Sequence, residues 1–274
     1  MAELVWINGT LVGSGEATVS VFDHGLTVGD GVFETIKAID GQPFAARRHL
    51  ERLRSSAQRL GLAVAPDDDE LRRAIGAVLA SCDHRLARVR MTVTGGPAPL
   101  GSERGAAEPT IIVAAAELRP PEPSTAVCVV PWPRNERGAL AGVKSTSYAE
   151  NVVALAAAKA RGCSEAIFAT TDGFLCEGTG SNVFIATAGR LRTPSLTSGC
   201  LAGVTRALVL EITGALEEPV SMDELRTAEE IFLTSTGRDV QAVHRVDDRA
   251  LEPGPLTAAA ASAFERLTAT TIDP

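Results

Sequence analysis

The chain has 274 residues, of which 45% are hydrophobic and 22% are charged, and its formal net charge is -8. These ordinary globular values exclude a wholly disordered or collagen-like chain and leave room for one large or two modest domains. The acidic balance argues against a nucleic-acid-binding protein, which needs a basic face to neutralise phosphates.

The five cysteines contain no C-x-x-C pair, so the sequence indicates neither a zinc knuckle nor a thioredoxin-type redox site, and we expect no metal. An odd number of cysteines in a chain of this size predicts reduced thiols and a cytoplasmic protein. The opening MAELVWINGT has no basic segment followed by an apolar run, so we expect no signal peptide. Apolar runs such as 111–116 are too short for a membrane span.

The first half of the chain predicts a small α/β domain over residues 1–117. Asn8-Gly9 lies between two apolar runs and predicts a β-hairpin, because both residues tolerate a positive φ angle. Leu50 and Leu53 begin an apolar pattern with helical spacing. The other elements expected here are a strand over 31–37, helices over 47–60 and 67–79, and strands over 89–94 and 110–116.

Three prolines between Leu118 and Ser124 predict a linker over 118–124, because proline fixes φ and removes a backbone donor. The remainder, 125–274, is expected to form a second and larger domain. Its expected elements are strands over 126–130, 165–170, 174–177, 182–186, 231–234 and 240–243, and helices over 148–161, 203–212 and 256–267.

Lysine is rare in this chain, so each of the three lysines can be considered individually. Lys159 lies within a predicted alanine-rich helix, which favours a solvated helix face. Lys37 ends a predicted strand and is expected to be a charge at the rim of the sheet. Lys144 follows a strand and precedes a helix, with small and apolar residues beside it. A lysine shielded from water has a lowered pKa and becomes a nucleophilic amine, which makes Lys144 the candidate catalytic residue.

Four other segments carry candidate chemistry, and each also has a plainer interpretation. Glu177 ends a strand before a glycine-rich turn and is either a ligand-binding carboxylate or an ion-pair partner. The segment 201–206 enters a helix and forms either a phosphate cradle or an ordinary cap. The hydroxyl-rich segment 234–238 could hold further phosphate oxygens. Arg52, on the first helix, is either a surface charge or a partner of the same phosphate.

Taken together, these residues match the needs of one cofactor. A nucleophilic lysine, a carboxylate, a phosphate cradle and an arginine are what pyridoxal 5′-phosphate requires. The glycine spacing after Glu177 does not match the G-x-G-x-x-G fingerprint, so a dinucleotide site is only weakly supported.

The order and spacing of these motifs resemble the class IV (fold type IV) pyridoxal-phosphate-dependent aminotransferases. That family includes branched-chain aminotransferases, D-amino acid transaminases and aminodeoxychorismate lyases. The matching motifs are Trp6-Ile-Asn-Gly, Asp23-His-Gly, Gly29-Asp-Gly-Val-Phe-Glu and the Thr234-Ser-Thr region. The resemblance implies an α/β (α+β) fold of two domains, the smaller N-terminal and the larger a pseudo-barrel. It also implies a cofactor between the domains and a homodimer in which the partner closes the pocket.

The resemblance also implies roles for individual residues. Lys144 would hold the cofactor as a Schiff base and move the proton during the reaction, while Glu177 would pair with the pyridine nitrogen. Arg52, in an H-x-x-R-L motif, would bind the phosphate. Tyr148, four residues after the lysine, would face the phenolic oxygen, although branched-chain enzymes place this tyrosine five residues after. The remaining implied cofactor contacts are Leu201, Gly203, Val204, Thr205, Ser235 and Thr236.

Recognition of the substrate departs from the pattern of the well-known bacterial D-amino acid transaminases. Leu100 and Ser102 stand where those enzymes carry the R-x-H motif that holds the substrate carboxylate, and Phe33 replaces their tyrosine. The carboxylate must therefore be bound differently, or the substrate is another amine. The first candidate is Arg238, beside Gly237. Further candidates are Lys37, Arg104 and Arg137.

Three functions remain open from the sequence. The leading hypothesis is a transaminase that moves an amino group from an amino acid, expected to be a D-amino acid with some primary amines, to a 2-keto acid. The Lys144-Ser-x-x-Tyr148 spacing and the Pro99-Leu-Gly stretch favour a second, an aminodeoxychorismate lyase releasing pyruvate and p-aminobenzoate. The third, a non-enzymatic α/β binding module, requires Lys144 to be an ordinary loop residue.

Overall fold

The computed structural model describes residues 3–274, and the chain divides into two compact units. Unit 1 holds the chain up to Arg119 together with 143–148 and residue 273, and unit 2 holds the rest. The division after Arg119 falls within the expected linker over 118–124, although Ser124 already begins a strand.

The expected domain boundaries place the segment 143–148 in the second domain. The structure groups it with unit 1. Its backbone pairs with a strand of that unit: the Phe33 N–H donates to the Lys144 carbonyl (3.0 Å) and the Thr146 N–H donates to the Gly31 carbonyl (2.8 Å). These long-range backbone bonds could not be read from local sequence patterns.

The described part of unit 1 forms one antiparallel sheet with helices against it. The strands lie in the order β2-β1-β6-β5-β3-β4, as defined by the ranges that follow. In chain order the elements are β1 (Leu4–Ile7), β2 (Thr10–Gly13), α1 (His24–Thr27), β3 (Gly31–Ile39), β4 (Gln42–Pro43), α2 (Ala46–Leu60), α3 (Asp68–Ala80), β5 (Leu86–Thr94) and β6 (Ile111–Glu117).

The two faces of this sheet differ in character. Buried apolar residues of β3 and β5, such as Ile36 and Met91, pack with Leu50 and Leu53 of α2 and with the apolar face of α3. Side chains alternate along a strand, so Phe33 and its neighbours at every second position project from the opposite face. Phe33 therefore lies on that face, whereas Arg52 lies on α2, which packs against the other face.

The described part of unit 2 is built on a mixed sheet in the order β12-β11-β10-β13-β14-β7-β8-β9, with β15 paired to β14. β7 runs parallel to both β14 and β8. The elements are β7 (Ser124–Val129), α4 (Ala149–Ala160), β8 (Glu165–Ala169), β9 (Leu175–Gly178), β10 (Asn182–Thr187), β11 (Arg190–Thr193), a 3₁₀ turn (Leu196–Ser198), α5 (Val204–Thr213), β12 (Leu216–Glu217), α6 (Met222–Thr227), β13 (Glu230–Ser235), β14 (Asp239–Val246), β15 (Arg249–Ala250) and α7 (Pro255–Thr270).

Unit 2 has a buried apolar cluster on each side of its sheet. Val127 and Ile167 belong to one cluster, whereas Cys128 and Phe168, one position further along β7 and β8, belong to the other. Alanines of α4 cover the second cluster. Both faces are therefore packed, which fixes the strand ends that carry the candidate residues of this unit.

The predicted strands and helices are present, with ends shifted by a few residues, and the mixed α/β fold class is confirmed. Asp67 caps the start of α3, since its side chain accepts a hydrogen bond from the Glu70 N–H (2.7 Å). The short elements α1, β4, β11, β12, α6 and β15 were not predicted, because two to six residues carry too little periodicity.

Candidate active-site residues

Lys144 lies beside an aromatic ring at the sheet edge of unit 1. Its Nζ is 4.3 Å from the centroid of the Phe33 ring, which is a cation–π distance. Its backbone is fixed on both sides, because its N–H donates to Ser56 Oγ (3.4 Å) and its carbonyl accepts from the Phe33 N–H. The side chain is half-buried, so its amine is both held and reachable.

Two further side chains meet the same Phe33 ring. Tyr148 contacts it edge to face, with centroids 5.2 Å apart, and the Arg90 guanidinium carbon lies 3.6 Å from its centroid. Burial lowers the pKa of Arg90, aided by the nearby Arg88, while the Tyr148 phenol opposes that shift. Within the described residues, Arg90 donates to Thr92 Oγ1 (3.3 Å) and pairs with no carboxylate.

Arg90 is a candidate that the sequence analysis missed. It pairs with Thr35 across β3 and β5, and Phe33 pairs with Thr92. All four side chains therefore lie on the face opposite the helices. The alternation of side chains along β5 could have indicated which face Arg90 occupies. The register between β3 and β5, which brings Arg90 to Phe33, cannot be read from the sequence.

Arg52 is held by a buried carboxylate that the sequence analysis did not single out. Its Nε donates to Glu34 Oε1 and its Nη2 donates to Glu34 Oε2, both at 2.7 Å, and His49 Nδ1 lies 2.7 Å from the same Oε2. Burial opposes ionisation of Glu34, but Arg52 and His49 outweigh it and lower its pKa to about 2. Burial lowers the pKa of His49, and the positive charges of Arg52 and Lys144 lower it further. The hydrogen bond to Glu34 and the negative charge of Glu34 raise it, but by less.

The other predicted cations of unit 1 are placed differently from the expectation. Lys37 was expected at the rim, but it is only 6% exposed, and its Nζ lies 5.6 Å from the centroid of the Phe44 ring. Arg104 forms a two-pronged pair with Asp30, which raises the pKa of Arg104. Its Nη1 also donates to the Gly61 carbonyl (3.2 Å), so each guanidinium nitrogen of Arg104 already has a partner.

In unit 2, Glu177 is a half-buried carboxylate near the end of β9. Its Oε2 accepts a hydrogen bond from the Leu201 N–H (2.9 Å), and its Oε1 lies 3.7 Å from Arg134 Nε. Burial raises the pKa of the neighbouring thiols Cys176 and Cys200, and the charge of Glu177 raises both further. The carboxylate of Glu177 thus lies between one backbone donor, one guanidinium and two neutral thiols.

The N-terminus of α5 combines backbone N–H groups that have no partner within the helix with close packing. Gly203 precedes the helix, and a Cβ there would lie 2.0 Å from Asn182 Oδ1, so the position has no room for a side chain. Val204 and Thr205 begin the helix and are buried. Thr234, which pairs with Asn182 across β10 and β13, has a buried hydroxyl without a hydrogen-bond partner among the described residues. Such a helix start suits a phosphate.

The turn between β13 and β14 carries the first candidate for substrate binding. Ser235 pairs with Asp239, and the Arg238 N–H donates to the Ser235 carbonyl (3.2 Å), so residues 236–238, including Thr236 and Gly237, form the turn. The Arg238 guanidinium donates to the Ser164 carbonyl (3.0 Å) and to the Gln241 side chain.

These bonds engage Arg238 within unit 2, so its role in carboxylate binding stays a prediction. Arg137 is largely exposed and pairs with Asp172 (2.9 Å). Lys159 lies on the exposed side of α4, in agreement with its predicted place on a solvated helix face.

Within 3–274, none of the helices combines the length and apolar character needed to cross a bilayer. The same residues contain no cluster of three or more His, Cys, Asp or Glu side chains suited to a metal ion.

Comparison with known proteins adds an independent line of support. The family model described as amino-transferase class IV matches residues 31–246. A Methanocaldococcus jannaschii protein, provisionally named as a branched-chain-amino-acid aminotransferase, is 35% identical, with 90% of this chain and 89% of that protein covered. The D-alanine aminotransferase of Bacillus licheniformis is 31% identical, with coverage of 92% and 93%.

Among solved structures, a branched-chain aminotransferase from the thermophilic archaeon Thermoproteus uzoniensis, crystallised with norvaline, is closely similar. The TM-score is 0.92 at 30% sequence identity, and the match covers 97% of this chain and 95% of that one. The similarity extends over both units rather than over one of them.

Proposed function

The chain belongs to the class IV aminotransferases, which are pyridoxal-phosphate-dependent enzymes, and we propose that it uses Lys144 to bind the cofactor while moving the amino group of an amino acid to a 2-keto acid. The observation that carries this assignment is the amine of Lys144, held 4.3 Å from the Phe33 ring by a backbone fixed on both sides. An ordinary loop lysine would not need such fixation, which argues against the binding-module hypothesis.

The residues of each unit fit the chemical groups of the cofactor. In unit 1, Lys144 offers a primary amine for the aldehyde carbon, and Arg52 offers a guanidinium for the phosphate. In unit 2, Glu177 offers a carboxylate for the pyridine nitrogen, and the start of α5 offers backbone N–H groups for the phosphate. The buried Thr234 hydroxyl, unpartnered among the described residues, is a group that a bound ligand could satisfy. The bound cofactor supplies the electron sink for bond changes at the substrate α-carbon.

The other residues that we assign to the reaction and to the cofactor also come from both units. Lys144 would accept and return the proton at the substrate α-carbon. Tyr148, which contacts the Phe33 ring, would hydrogen-bond the phenolic oxygen of the cofactor. Glu177 is oriented for its role by the N–H of Leu201. The residues that we assign to further cofactor contacts are Leu201, Gly203, Val204, Thr205, Ser235 and Thr236.

The unpaired guanidinium of Arg90 supports a substrate that carries a carboxylate. It lies on the same ring as the Lys144 amine and, within the described residues, lacks an acidic partner. Burial lowers its pKa, so an incoming carboxylate would relieve an unfavourable environment for the charge. This favours an amino acid over a simple amine as the main donor.

We propose D-amino acids as the donors, with support from the Bacillus licheniformis D-alanine aminotransferase, which matches nearly the whole chain. The branched-chain relatives make L-leucine, L-isoleucine and L-valine the competing donors. Mixing the cofactor-loaded protein with one donor and no keto acid separates them. A shift of the cofactor absorption with D-alanine, and none with L-leucine, supports the proposal; the reverse result overturns the assigned enantiomer.

The lyase alternative is tested with its own substrate. A lyase would release pyruvate from aminodeoxychorismate without any keto acid, whereas a transaminase needs an acceptor to complete its cycle. The relatives named above are aminotransferases, which favours the transaminase.

The assignment of Lys144 is tested by reducing the cofactor-loaded protein with borohydride and locating the modified peptide by mass spectrometry. We expect the adduct on Lys144 and its loss in Lys144→Ala. Lys159→Ala is the matched control, because Lys159 is exposed on α4 and should leave the adduct unchanged. An adduct on Lys37 or Lys159, or none at all, would contradict the assignment.

We also propose a homodimer. The segment 19–28 exposes several apolar side chains, including Val21 at 70% and Leu26 at 69%, as is usual for surfaces that a partner covers. Analytical ultracentrifugation should show a dimer that Leu26→Glu weakens. A monomeric wild-type protein would contradict this. A cytoplasmic location stays a prediction, and cell fractionation can test it.

A further inference from the structure

We propose that Arg134 is a positioning residue that orients the Glu177 carboxylate and keeps it ionised, and so sets how tightly the protein holds the pyridine ring of its cofactor. This inference rests on the role of Glu177 proposed above. Arg134 lies outside the motif that led to Glu177, and the sequence analysis did not consider it.

Arg134 and Glu177 are both held by the same strand. The Arg134 N–H donates to the carbonyl of Ala169, the last residue of β8 (2.7 Å). Glu177 lies on β9, which pairs with β8 through Ile167 and Gly178. The distance between the two side chains is therefore defined by one stretch of sheet rather than by a flexible loop.

The guanidinium of Arg134 is fixed on several sides. Its Cζ lies 4.2 Å from the centroid of the Phe168 ring, and its Nη1 donates to Glu150 Oε2 (2.5 Å) and Asn151 Oδ1 (3.0 Å). The side chain is only 16% exposed. Arginine loses much rotamer freedom when it is held in this way, so the cost of ordering it is met before any ligand arrives.

The held guanidinium presents one donor toward Glu177. Arg134 Nε is buried and lacks a hydrogen-bond partner within the described residues, yet it lies 3.7 Å from Glu177 Oε1. An unsatisfied buried donor in a folded protein calls for an explanation. If Nε and Oε1 moved slightly closer when a ligand binds to the carboxylate, the hydrogen bond between them would form.

The two carboxylate oxygens of Glu177 thus lie beside different groups. The Leu201 N–H donates to Oε2, and the positive charge of Arg134 lies beside Oε1. A nearby positive charge favours the ionised form of a carboxylate, and two separate contacts fix its plane. An ionised carboxylate in a fixed plane is what a protonated ring nitrogen requires of its partner.

A merely structural ion pair would give the same contacts, so the test must separate stability from cofactor binding. The dissociation constant for pyridoxal 5′-phosphate is measured on the full chain by absorbance titration for wild type, Arg134→Gln, Glu177→Gln and the double variant. Arg226→Gln is the matched control, because Arg226 lies in the same unit, is exposed and, among the described residues, forms its ion pair with the exposed Asp223.

We expect Arg134→Gln to weaken cofactor binding about tenfold in the wild-type background and less than about twofold when Glu177 is already Gln. Arg134→Lys, which keeps the charge, should recover part of the loss. The pH at which the absorption of the bound cofactor changes should also move in Arg134→Gln and stay unchanged in Arg226→Gln.

Equal weakening in both backgrounds, or no weakening at all, would overturn the proposal. If Arg134→Gln fails to fold, Arg134→Lys and Glu150→Gln, which loosens the anchor of Nη1, give the same double-variant comparison with Glu177→Gln. A failure of the proposed function is distinguishable, because in that case Glu177→Gln itself would leave cofactor binding unchanged.

Discussion

The amine of Lys144 lies 4.3 Å from the centre of the Phe33 ring, a contact that joins the candidate nucleophile to the edge of the sheet in unit 1. The ring is 4% exposed and is itself held edge to face by Tyr148. Because the sheet fixes Phe33 and Phe33 contacts the amine, the position of the amine depends on the fold of this unit.

Replacing Phe33 with leucine should therefore impair the reaction more than it impairs folding. Leucine fills much of the same space but offers no ring to a cation, and a cation–π contact is worth about 1 kcal/mol. We expect kcat/KM to fall about fivefold, while Phe33→Tyr retains most of the activity. Steady-state kinetics with thermal melting as a control would check this, and a parallel loss in both variants would contradict it.

Arg90→Gln should raise KM for an amino acid far more than for a neutral amine. A hydrogen bond to a charged group is worth about 1.5–3 kcal/mol, so the change should be roughly tenfold to a hundredfold. Arg238→Gln tests the competing candidate in the same way. A selective effect of Arg238→Gln, together with no effect of Arg90→Gln, would show that the substrate carboxylate binds to Arg238 in the turn after β13 and not to Arg90.

Glu34→Gln should destabilise unit 1 and release Arg52. Glu34 is fully buried and accepts two bonds from Arg52 at 2.7 Å, so its neutralisation leaves a poorly compensated cation. Breaking such a buried pair costs about 3–5 kcal/mol. Urea unfolding measures this loss. Glu51→Gln, which removes an exposed partner of Arg47 on the same helix, is the control and should change stability little.

Acid should destabilise the protein through the same cluster in two steps. His49 has a pKa below its ordinary value of 6.5, so its contribution is present above that pH and is lost as the pH falls below it. The pKa of Glu34 is lowered from 4.5 to about 2, so its contribution of about 3 kcal/mol is lost between those values. Unfolding free energies at pH 7.5, 5.5 and 3.5 test this, and His49→Gln should remove only the first step.

Gly203→Ala should destabilise the protein by disturbing the start of α5. The new Cβ would lie 2.0 Å from Asn182 Oδ1, and rotation of Asn182 would break its bond to the Leu201 carbonyl (2.9 Å). We expect a loss of about 1–3 kcal/mol in stability. Gly76→Ala is the control, since nothing lies within 4 Å there and replacing glycine at an exposed helix position should stabilise the protein by up to about 1 kcal/mol. Similar melting temperatures for the two variants would be evidence against this packing.

The candidate residues that the sequence singles out are those that are unusual for their type or stand in a distinctive motif. Lys144 is one of three lysines, and Glu177 meets a glycine-rich turn. The major strands and helices were predictable as well, because their apolar periodicity is long enough to be read.

Residues defined by strand pairing were not predictable. Arg90 is one arginine among many, and only the register of β3 with β5 brings it to Phe33. Glu34 and Arg134 act on residues far away in the chain, so local patterns do not reveal them. Lys37 was misplaced for the same reason, since the sequence does not show that Phe44 lies against it.

The assignment of 143–148 to unit 1 has a consequence for engineering by recombination. A chimera of this chain with a homologue, joined once within 118–124, would import the foreign lysine segment and combine it with the native β3. Its hydrogen bonds to Gly31 and Phe33 would then join backbones of different parents. Crossovers that respect the fold would need two additional junctions, near 142 and 148.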